Sequence, residues 1–157
     1  MNKALVPGSF DPITLGHLAI IESAARLFDS VTVCVMVNEE KQYMLSLDER
    51  AEMIREAVAQ LPNVQVDTWN GMLFEYAEAH GITVIVKGIR NEKDTAFEIL
   101  QADFNRDKYP AAQTVLIPAS EGMDQVSSTL VRELALKGED LSSYVPQNVA
   151  DKLKNKI

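Results

Sequence analysis

Residues 3–37 read KALVPGSFDPITLGHLAIIESAARLFDSVTVCVMV, and this stretch predicts the fold of the whole chain. Its middle, residues 16–28, repeats apolar residues at helical spacing, which predicts an amphipathic helix. The segment 31–37 is apolar without alternation, as is typical of a parallel strand covered on both faces. A short strand over 3–6, the helix and this second strand therefore form one β-α-β unit with a right-handed crossover.

The same alternation of apolar runs and helical segments continues along the rest of the chain. Ser46 and Glu49 have the spacing of a capping box and begin a helix over 46–61. The other predicted strands cover 64–67, 82–87 and 113–119, and the other predicted helices cover 72–80, 92–106, 127–137 and about 147–155. Strands joined by helices run parallel. The sequence thus predicts an α/β fold: a single domain over 1–157 with a Rossmann-like, doubly wound, five-stranded parallel sheet and helices on both faces.

Composition and charge exclude several classes of partner. The chain has 157 residues, of which 46% are hydrophobic, and a formal net charge of −8. This acidic balance argues against a nucleic-acid or anionic-membrane surface, so any anion site must be a local cluster of cations. No stretch approaches the ~18 apolar residues that a membrane helix needs. The single cysteine, Cys34, is predicted to be a buried strand residue, and the lack of a possible internal disulfide suits a cytoplasmic location.

Ligands of such sheets bind outside the carboxyl ends of the strands, which here are followed by the segments 7–17, 38–45, 68–73, 87–91 and 118–129. In the first segment, Gly8 allows close approach of a ligand and Ser9 offers a hydroxyl. Thr14 and His17 are three residues apart, so they share one face at a helix N-terminus, which favours anions. His17 is therefore predicted to present a donor to phosphate; the alternative is that it only caps or packs against the turn. His80, beside Gly81 at a helix end, is interpreted as structural.

Cations and hydroxyls follow other strands at the same edge. Lys41 lies among acidic residues and by itself reads as a surface lysine. Lys87 and Arg90 flank a glycine after a buried strand, which indicates a phosphate clamp or, alternatively, a solvated loop. The triplet 127–129 opens a helix with three hydroxyls, which indicates a second anion site or ordinary capping. Together these features suit a triphosphate and a second phosphorylated ligand. The chain has no Walker loop, no three-glycine dinucleotide motif and no zinc-site spacing.

Two motifs carry a resemblance to a known family. Thr14-Leu15-Gly16-His17 resembles the (H/T)-x-G-H signature of the nucleotidyltransferase superfamily, and the stretch VSSTLVR at 126–132 resembles its second signature, I-S-S-S/T-x-x-R. The threonine form, the length and the order of segments are similar to the bacterial-type phosphopantetheine adenylyltransferase family. The resemblance implies transfer of the adenylyl group of ATP to 4′-phosphopantetheine, giving dephospho-coenzyme A and pyrophosphate. It also implies a homohexamer, possible feedback inhibition by coenzyme A, and Mg²⁺ held mainly by substrate phosphates and water rather than by the chain.

The resemblance also implies a role for each matching residue. His17 and Lys41 are the implied catalytic residues, His17 at the ATP α-phosphate and Lys41 on the phosphates from its loop. The implied ATP-binding residues are Ser9, Phe10, His17, Gly88, Ile89, Arg90, Glu98, Met123, Asp124, Gln125, Val126, Ser127, Ser128 and Thr129. The implied 4′-phosphopantetheine-binding residues are Ser9, Lys41, Leu73 and Lys87, with Leu73 contributing a main-chain contact.

The chain departs from the family pattern at a few positions and leaves two other functions open. Lys87 stands where arginine is common, residues 94–98 read DTAFE instead of a more aromatic run, and Gly71 and Met123 replace a polar and an aromatic residue. One alternative is the same fold with another acceptor, either nicotinate mononucleotide or glycerol phosphate with CTP; Thr14 argues against it. The second alternative is a nucleotide-sensing module that binds ATP without transfer.

Overall fold

Five parallel strands and six helices make up the structure, a computed structural model that describes residues 2–156. The strands are β1 (Lys3–Gly8), β2 (Ser30–Val37), β3 (Val64–Asn70), β4 (Val84–Ile89) and β5 (Gln113–Pro118). The helices are α1 (Leu15–Leu27), α2 (Leu47–Ala57), α3 (Leu73–Ala79), α4 (Glu92–Lys108), α5 (Ser128–Leu136) and α6 (Gln147–Lys156).

The strands pair in the order β3-β2-β1-β4-β5, and every neighbouring pair is parallel. The chain thus builds outward from β1 to one edge, returns to the centre and builds outward to the other edge through β4. This is the doubly wound, Rossmann-like topology, and the predicted α/β fold class is confirmed. Strand order reverses between β1 and β4, which are neighbours at the centre of the sheet.

All five strands differ from their predicted bounds by one to three residues, and the shifts of β3 and β4 have visible causes. β3 continues to Asn70 instead of ending at residue 67, because its pairing with β2 extends to the register Val37↔Asn70. β4 begins at Val84 instead of residue 82, because the backbone N–H of Ile82 still bonds to a carbonyl at the end of α3. The Ile82 N–H donates to Ala77 O over 2.9 Å, after Gly81 has turned the chain with a φ of 63°.

The core divides between the two faces of the sheet. Successive strand residues point to opposite faces, so Val33 and Val35 belong to the large cluster while Cys34, between them, belongs to the small one. Cys34 is fully buried, as predicted, and burial, with Asp67 nearby, raises the pKa of its thiol to about 12. The thiol is therefore an inert packing group.

One helix exposes the apolar side that its periodicity marks. On α4, Phe97, Leu100 and Phe104 are 52%, 69% and 40% exposed, whereas the polar residues Glu98 and Asn105 are buried. The side of α4 that packs against the protein therefore includes polar residues, and an apolar stripe of Phe97, Leu100 and Phe104 faces outward. None of the helices in residues 2–156 combines the length and apolar composition that crossing a membrane requires.

Candidate active site

A cavity of about 420 Å³ opens at the carboxyl ends of β1 and β4. It therefore lies where the strand order reverses, which is the expected ligand position in an open α/β sheet. Its wall takes residues from the end of β1, the start of α1, the end of β4, the first half of α4 and the loop before α5. The volume is that of a small-molecule site.

The first turn of α1 is built around a reciprocal pair of hydrogen bonds between Thr14 and His17. Thr14 is the N-cap residue, and its Oγ1 accepts a 3.1 Å hydrogen bond from the His17 backbone N–H. In return, the Thr14 backbone N–H donates to His17 Nδ1 over 3.1 Å. This is a capping box in which histidine takes the place that Glu or Gln usually holds. The bonds that start the helix therefore also orient the imidazole ring.

The same contact decides which ring nitrogen of His17 faces the cavity as a donor. Because Nδ1 accepts from a backbone N–H, the neutral ring carries its proton on Nε2. Burial, with Lys87 and Arg90 adding to it, lowers the pKa of His17 from 6.5 to about 4. The Phe10 ring packs edge-on against the imidazole, with centroids 5.0 Å apart. At neutral pH His17 is thus an uncharged hydrogen-bond donor on the cavity wall.

Both cations on the cavity wall have acidic partners. Lys87 Nζ lies 3.2 Å from Glu98 Oε2, and Arg90 Nε lies 2.9 Å from Asp94 Oδ2. The hydrogen bond from Arg90 lowers the pKa of Asp94. Glu98 is only 8% exposed, so Lys87 compensates a carboxylate that burial would otherwise penalise. Together the two pairs bring no net charge to the cavity, and the field that favours an anion comes from elsewhere.

Two helix N-termini meet at the cavity and supply such a field. A Cβ added at Gly16, in the first turn of α1, would lie 3.7 Å from Val126 O and 3.9 Å from Met123 O, just before α5. The starts of α1 and α5 are therefore in contact across the cavity wall. Free N–H groups and the positive ends of two helix dipoles favour anions there.

The hydroxyl triplet at the start of α5 is engaged within the protein. Ser127 Oγ is the N-cap acceptor, and Ser128 Oγ donates to Pro12 O over 2.8 Å. Thr129 Oγ1 lies 3.2 Å from Arg132 Nη2. Ordinary capping thus explains one hydroxyl, and the other two join α5 to the first loop and to its own next turn. What this segment presents to an anion is its backbone N–H groups.

A buried carboxylate ties three of the strand-end loops together. Asp11 is 3% exposed, and its two oxygens accept hydrogen bonds from the backbone N–H groups of Met44 and Leu45, over 2.8 and 2.9 Å. Arg132 of α5 donates to Asp11 O over 2.8 Å and reaches within 3.9 Å of its carboxylate. The first loop, the second loop and the start of α5 therefore form one connected frame.

Comparison with known proteins shows which family this chain resembles. A family profile described as cytidylyltransferase-like matches residues 5–134. The phosphopantetheine adenylyltransferases of Acidovorax sp. (strain JS42) and Acidovorax ebreus (strain TPSY) are each 42% identical to the chain over 154 residues, covering 98% of this chain and 93% of the relative.

The chain belongs to the phosphopantetheine adenylyltransferase family. The membership confirms both the predicted resemblance and the predicted enzyme class, an adenylyltransferase. A crystal structure described as a nicotinate-nucleotide adenylyltransferase from Vibrio parahaemolyticus has a TM-score of 0.73 to this chain, with 22% identity, and covers 99% of this chain and 93% of its own. That similarity supports the fold alone.

For this adenylyltransferase, most of the residues predicted to bind ATP lie on one cavity wall. Those lining it are Phe10, His17, Gly88, Ile89, Arg90, Glu98, Met123, Val126, Ser127, Ser128 and Thr129. Lys87, predicted to bind 4′-phosphopantetheine, lines the same cavity. Gly88 has a packing reason as well, because a Cβ there would lie 2.9 Å from Ile20 Cγ1 of α1. The roles of these residues toward ligands stay predictions.

Five predicted residues do not line the cavity: Ser9, Lys41, Leu73, Asp124 and Gln125. Lys41 is exposed on the loop after β2, and Leu73 begins α3 and packs against the small core cluster. Ser9 is the neighbour of two wall residues, but its carbonyl is bound by Arg50. Asp124 lines a neighbouring cavity of about 490 Å³ that shares Arg90 with the first. The loops after β2 and β3 therefore lie beside the cavity, not in its wall.

Sequence reasoning missed the residues that hold the site together. Asp11 lies inside the stretch that marks the first loop, and Arg132 is the last residue of the second signature. Both positions could therefore have been found from the motifs, although the sequence analysis gives them no role. Arg50 carried none, because in sequence it is one more charged residue of an amphipathic helix. Its burial and its bond to Ser9 O are visible only in the structure.

The cavity offers no set of metal ligands. Within residues 2–156, no three His, Cys, Asp or Glu side chains are grouped to hold a metal ion. Its two acidic wall residues, Glu98 and Asp94, are paired with cations. The donors present therefore fit Mg²⁺ only where phosphate oxygens and water complete its shell.

The low pKa of His17 predicts a pH-dependent component of stability. Unfolding returns the pKa from about 4 to 6.5, so as pH falls below 6.5 the unfolded chain takes up a proton that the folded chain refuses. The free energy of unfolding should therefore fall between pH 6.5 and pH 4 by up to about 3 kcal/mol from this group. His17→Gln keeps a capping residue but cannot titrate. Urea unfolding of the wild type and of His17→Gln between pH 6.5 and pH 4 should show that the free energy of unfolding falls more for the wild type. A difference in free energy between the two proteins that does not change with pH would contradict the prediction.

Proposed function

We propose that the enzyme transfers the adenylyl group of ATP to 4′-phosphopantetheine, giving dephospho-coenzyme A and pyrophosphate in coenzyme A synthesis. The observation that carries the proposal is the Thr14–His17 pair, which holds a neutral Nε2–H donor between two helix N-termini in the cavity. That arrangement suits a phosphate on which negative charge grows during the reaction. The family membership supports the acceptor.

The chemistry explains why no nucleophile–base pair is needed. An oxygen of the 4′-phosphopantetheine phosphate attacks the ATP α-phosphorus, and the bond from that phosphorus to the oxygen bridging to the β-phosphate breaks. A phosphomonoester has a second pKa of ~6, so at neutral pH the nucleophile is already ionised. The task is to align two polyanions, and positioning contributes on the order of 7–11 kcal/mol in favourable cases.

The chain's own groups divide this task. His17 Nε2–H donates to an α-phosphate oxygen and stabilises the charge that develops there; a preorganised donor of this kind contributes ~3 kcal/mol. Lys41 approaches the phosphates from its loop beside the cavity and supplies positive charge. Among residues 2–156 no carboxylate lies within ion-pair distance of its Nζ. Lys87, steadied by Glu98, binds the phosphate of 4′-phosphopantetheine. Mg²⁺, when bound to the ATP phosphates, neutralises part of the charge of the leaving pyrophosphate.

Release of pyrophosphate from ATP tests the proposed reaction. With ATP and 4′-phosphopantetheine we expect pyrophosphate and dephospho-coenzyme A in equal amounts. With nicotinate mononucleotide as acceptor, or with CTP and glycerol phosphate, we expect no release above background. Turnover of either alternative acceptor in preference to 4′-phosphopantetheine would overturn the assignment, and ATP binding without any release would indicate a sensing module.

Substitutions at His17 and Lys41 test their assigned roles. His17→Gln preserves the capping box but displaces the donor, so turnover should fall by about 10²–10³-fold while the fold is retained. Lys41→Ala should lower turnover by about 10²-fold. His80→Ala is the matched control: the His80 ring is exposed and stacks on Tyr76 away from the cavity, so turnover should not change. Turnover of His17→Gln close to that of the wild type would remove His17 from the mechanism.

The assembly, regulation and location belong to the same proposal. The apolar stripe of α4, made of Phe97, Leu100 and Phe104, suits burial against a second copy in a homohexamer. Coenzyme A contains the dephospho-coenzyme A moiety, so as a feedback inhibitor it would compete for the same cavity. A cytoplasmic location, where the substrates are made, stays a prediction.

Light scattering after size-exclusion chromatography tests the assembly. Six copies of the 17.4 kDa chain have a mass of about 104 kDa. Leu100→Glu places a charge on the most exposed residue of the stripe and should shift the mass toward smaller species. Leu136→Glu on α5, where the leucine is 70% exposed outside the stripe, is the control and should leave the mass unchanged. A monomer for the unmodified chain would contradict the proposal.

A further inference from the structure

The loop that carries Lys41 is shaped by a tyrosine. Lys41 follows β2 in a short turn over residues 38–43, and its side chain is exposed. Its backbone N–H donates to Asn38 O over 3.0 Å, which fixes the inner part of the turn. The Tyr43 hydroxyl accepts a 2.9 Å hydrogen bond from the Asn38 backbone N–H and so joins the two ends of the turn. Lys41 therefore lies inside a loop that Tyr43 closes.

Tyr43 is itself held by the rigid part of the site. Its ring lies under the Arg50 guanidinium, 3.9 Å from ring centroid to Cζ. Arg50 is 2% exposed and donates to Ser9 O over 2.8 Å. The next residues along the chain, Met44 and Leu45, are bound by the carboxylate of Asp11. The Tyr43 side chain thus connects Arg50, which is bonded to the first loop, with the exposed turn that carries Lys41.

A lysine needs such support if it is to act on a reacting phosphate. Its side chain has four rotatable methylene groups and one compact charge, so loop motion adds directly to side-chain motion. Among residues 2–156, the side-chain hydrogen bond that leaves this turn, from Asn70 Nδ2 to Glu39 Oε1 over 2.9 Å, joins two exposed side chains and contributes little order. The Tyr43 side chain connects the turn to a buried group, because its hydroxyl accepts from the Asn38 N–H while its ring packs on Arg50.

We propose that Tyr43 is a positioning residue, whose hydroxyl fixes the turn over residues 38–43 and thereby places the Lys41 ammonium on the substrate phosphates. The proposal rests on the proposed function insofar as Lys41 acts on phosphate. Tyr43 touches no reacting atom and acts only through Lys41.

Tyr43→Phe isolates the hydroxyl, because phenylalanine keeps an aromatic face for Arg50 and removes only the bond to Asn38. We expect kcat for pyrophosphate release with ATP and 4′-phosphopantetheine to fall about three- to tenfold, the effect of one hydrogen bond. The melting temperature should stay close to that of the wild type, since the turn is exposed. An unchanged kcat would overturn the proposal.

The double variant Tyr43→Phe/Lys41→Ala shows whether the two residues act as one unit. If Tyr43 acts through Lys41, the double variant should be no slower than Lys41→Ala alone. An equal fall in kcat in both backgrounds would overturn the proposal. Tyr76→Phe is the matched control, because it deletes a hydroxyl that donates to Asp67 over 2.7 Å in the middle of β3, away from the cavity. It should lower stability and leave kcat unchanged.

Amide hydrogen exchange separates this proposal from the proposed function. In Tyr43→Phe, the amides of Asn38, Glu40 and Lys41 should exchange several-fold faster than in the wild type, whereas those of Met44 and Leu45 should not change. This result is expected whichever acceptor the enzyme uses. Unchanged exchange at Asn38 and Lys41 would overturn the role of Tyr43, whereas loss of phosphopantetheine-dependent turnover in the wild type, with faster exchange in the variant, would overturn only the function.

Discussion

The reciprocal hydrogen bonds between Thr14 and His17 are the constraint on which the site depends. A helix that begins at a strand end must satisfy its first N–H groups, and here a side-chain hydroxyl and an imidazole nitrogen do so for each other. The helix start thereby fixes the ring orientation and leaves the proton on Nε2. The donor that we propose for catalysis is thus held by ordinary helix-capping chemistry.

The cations near that donor are each paired with an acidic side chain. Lys87 and Arg90 are close enough to lower the pKa of His17, yet each is paired with an acid. The residues around the cavity can therefore keep this arrangement without a ligand, because the two cations on its wall do not repel each other uncompensated. The helix N-termini provide a positive field from backbone groups. In the proposed reaction, Lys41 adds charge from an exposed loop, where water solvates it before substrate binds.

The strand-end loops act together because buried polar groups join them. Asp11 connects the first loop to the backbone that follows Tyr43, and Arg132 connects it to α5. The bond from Leu45 N–H to Asp11 is buried and the bonds from Met44 and Arg132 are partly buried, so they are worth more than fully exposed contacts of the same length. A site built from loops of different strands consequently behaves as one body, which is what alignment of two polyanions requires.

The sequence by itself determined the fold class and the kind of chemistry. Apolar runs without alternation, such as 31–37, favour buried parallel strands, and the T-x-G-H motif needs only local spacing to form a capping box. Those patterns are local, so they can be read without the rest of the chain.

Only the tertiary structure decided how the charges are used. Some of these features are contacts between different segments, such as the ion pair of Lys87 with Glu98 and the bond from Ser128 to Pro12. Others are the burial of Asp11 and Arg50 and the position of Lys41 beside the cavity, which depend on how the segments pack. Likewise, the period of α4 marks an apolar side, but only packing shows that this side faces outward. The physical reason is that partners and burial depend on which segments the sheet brings together, and no local pattern contains that information.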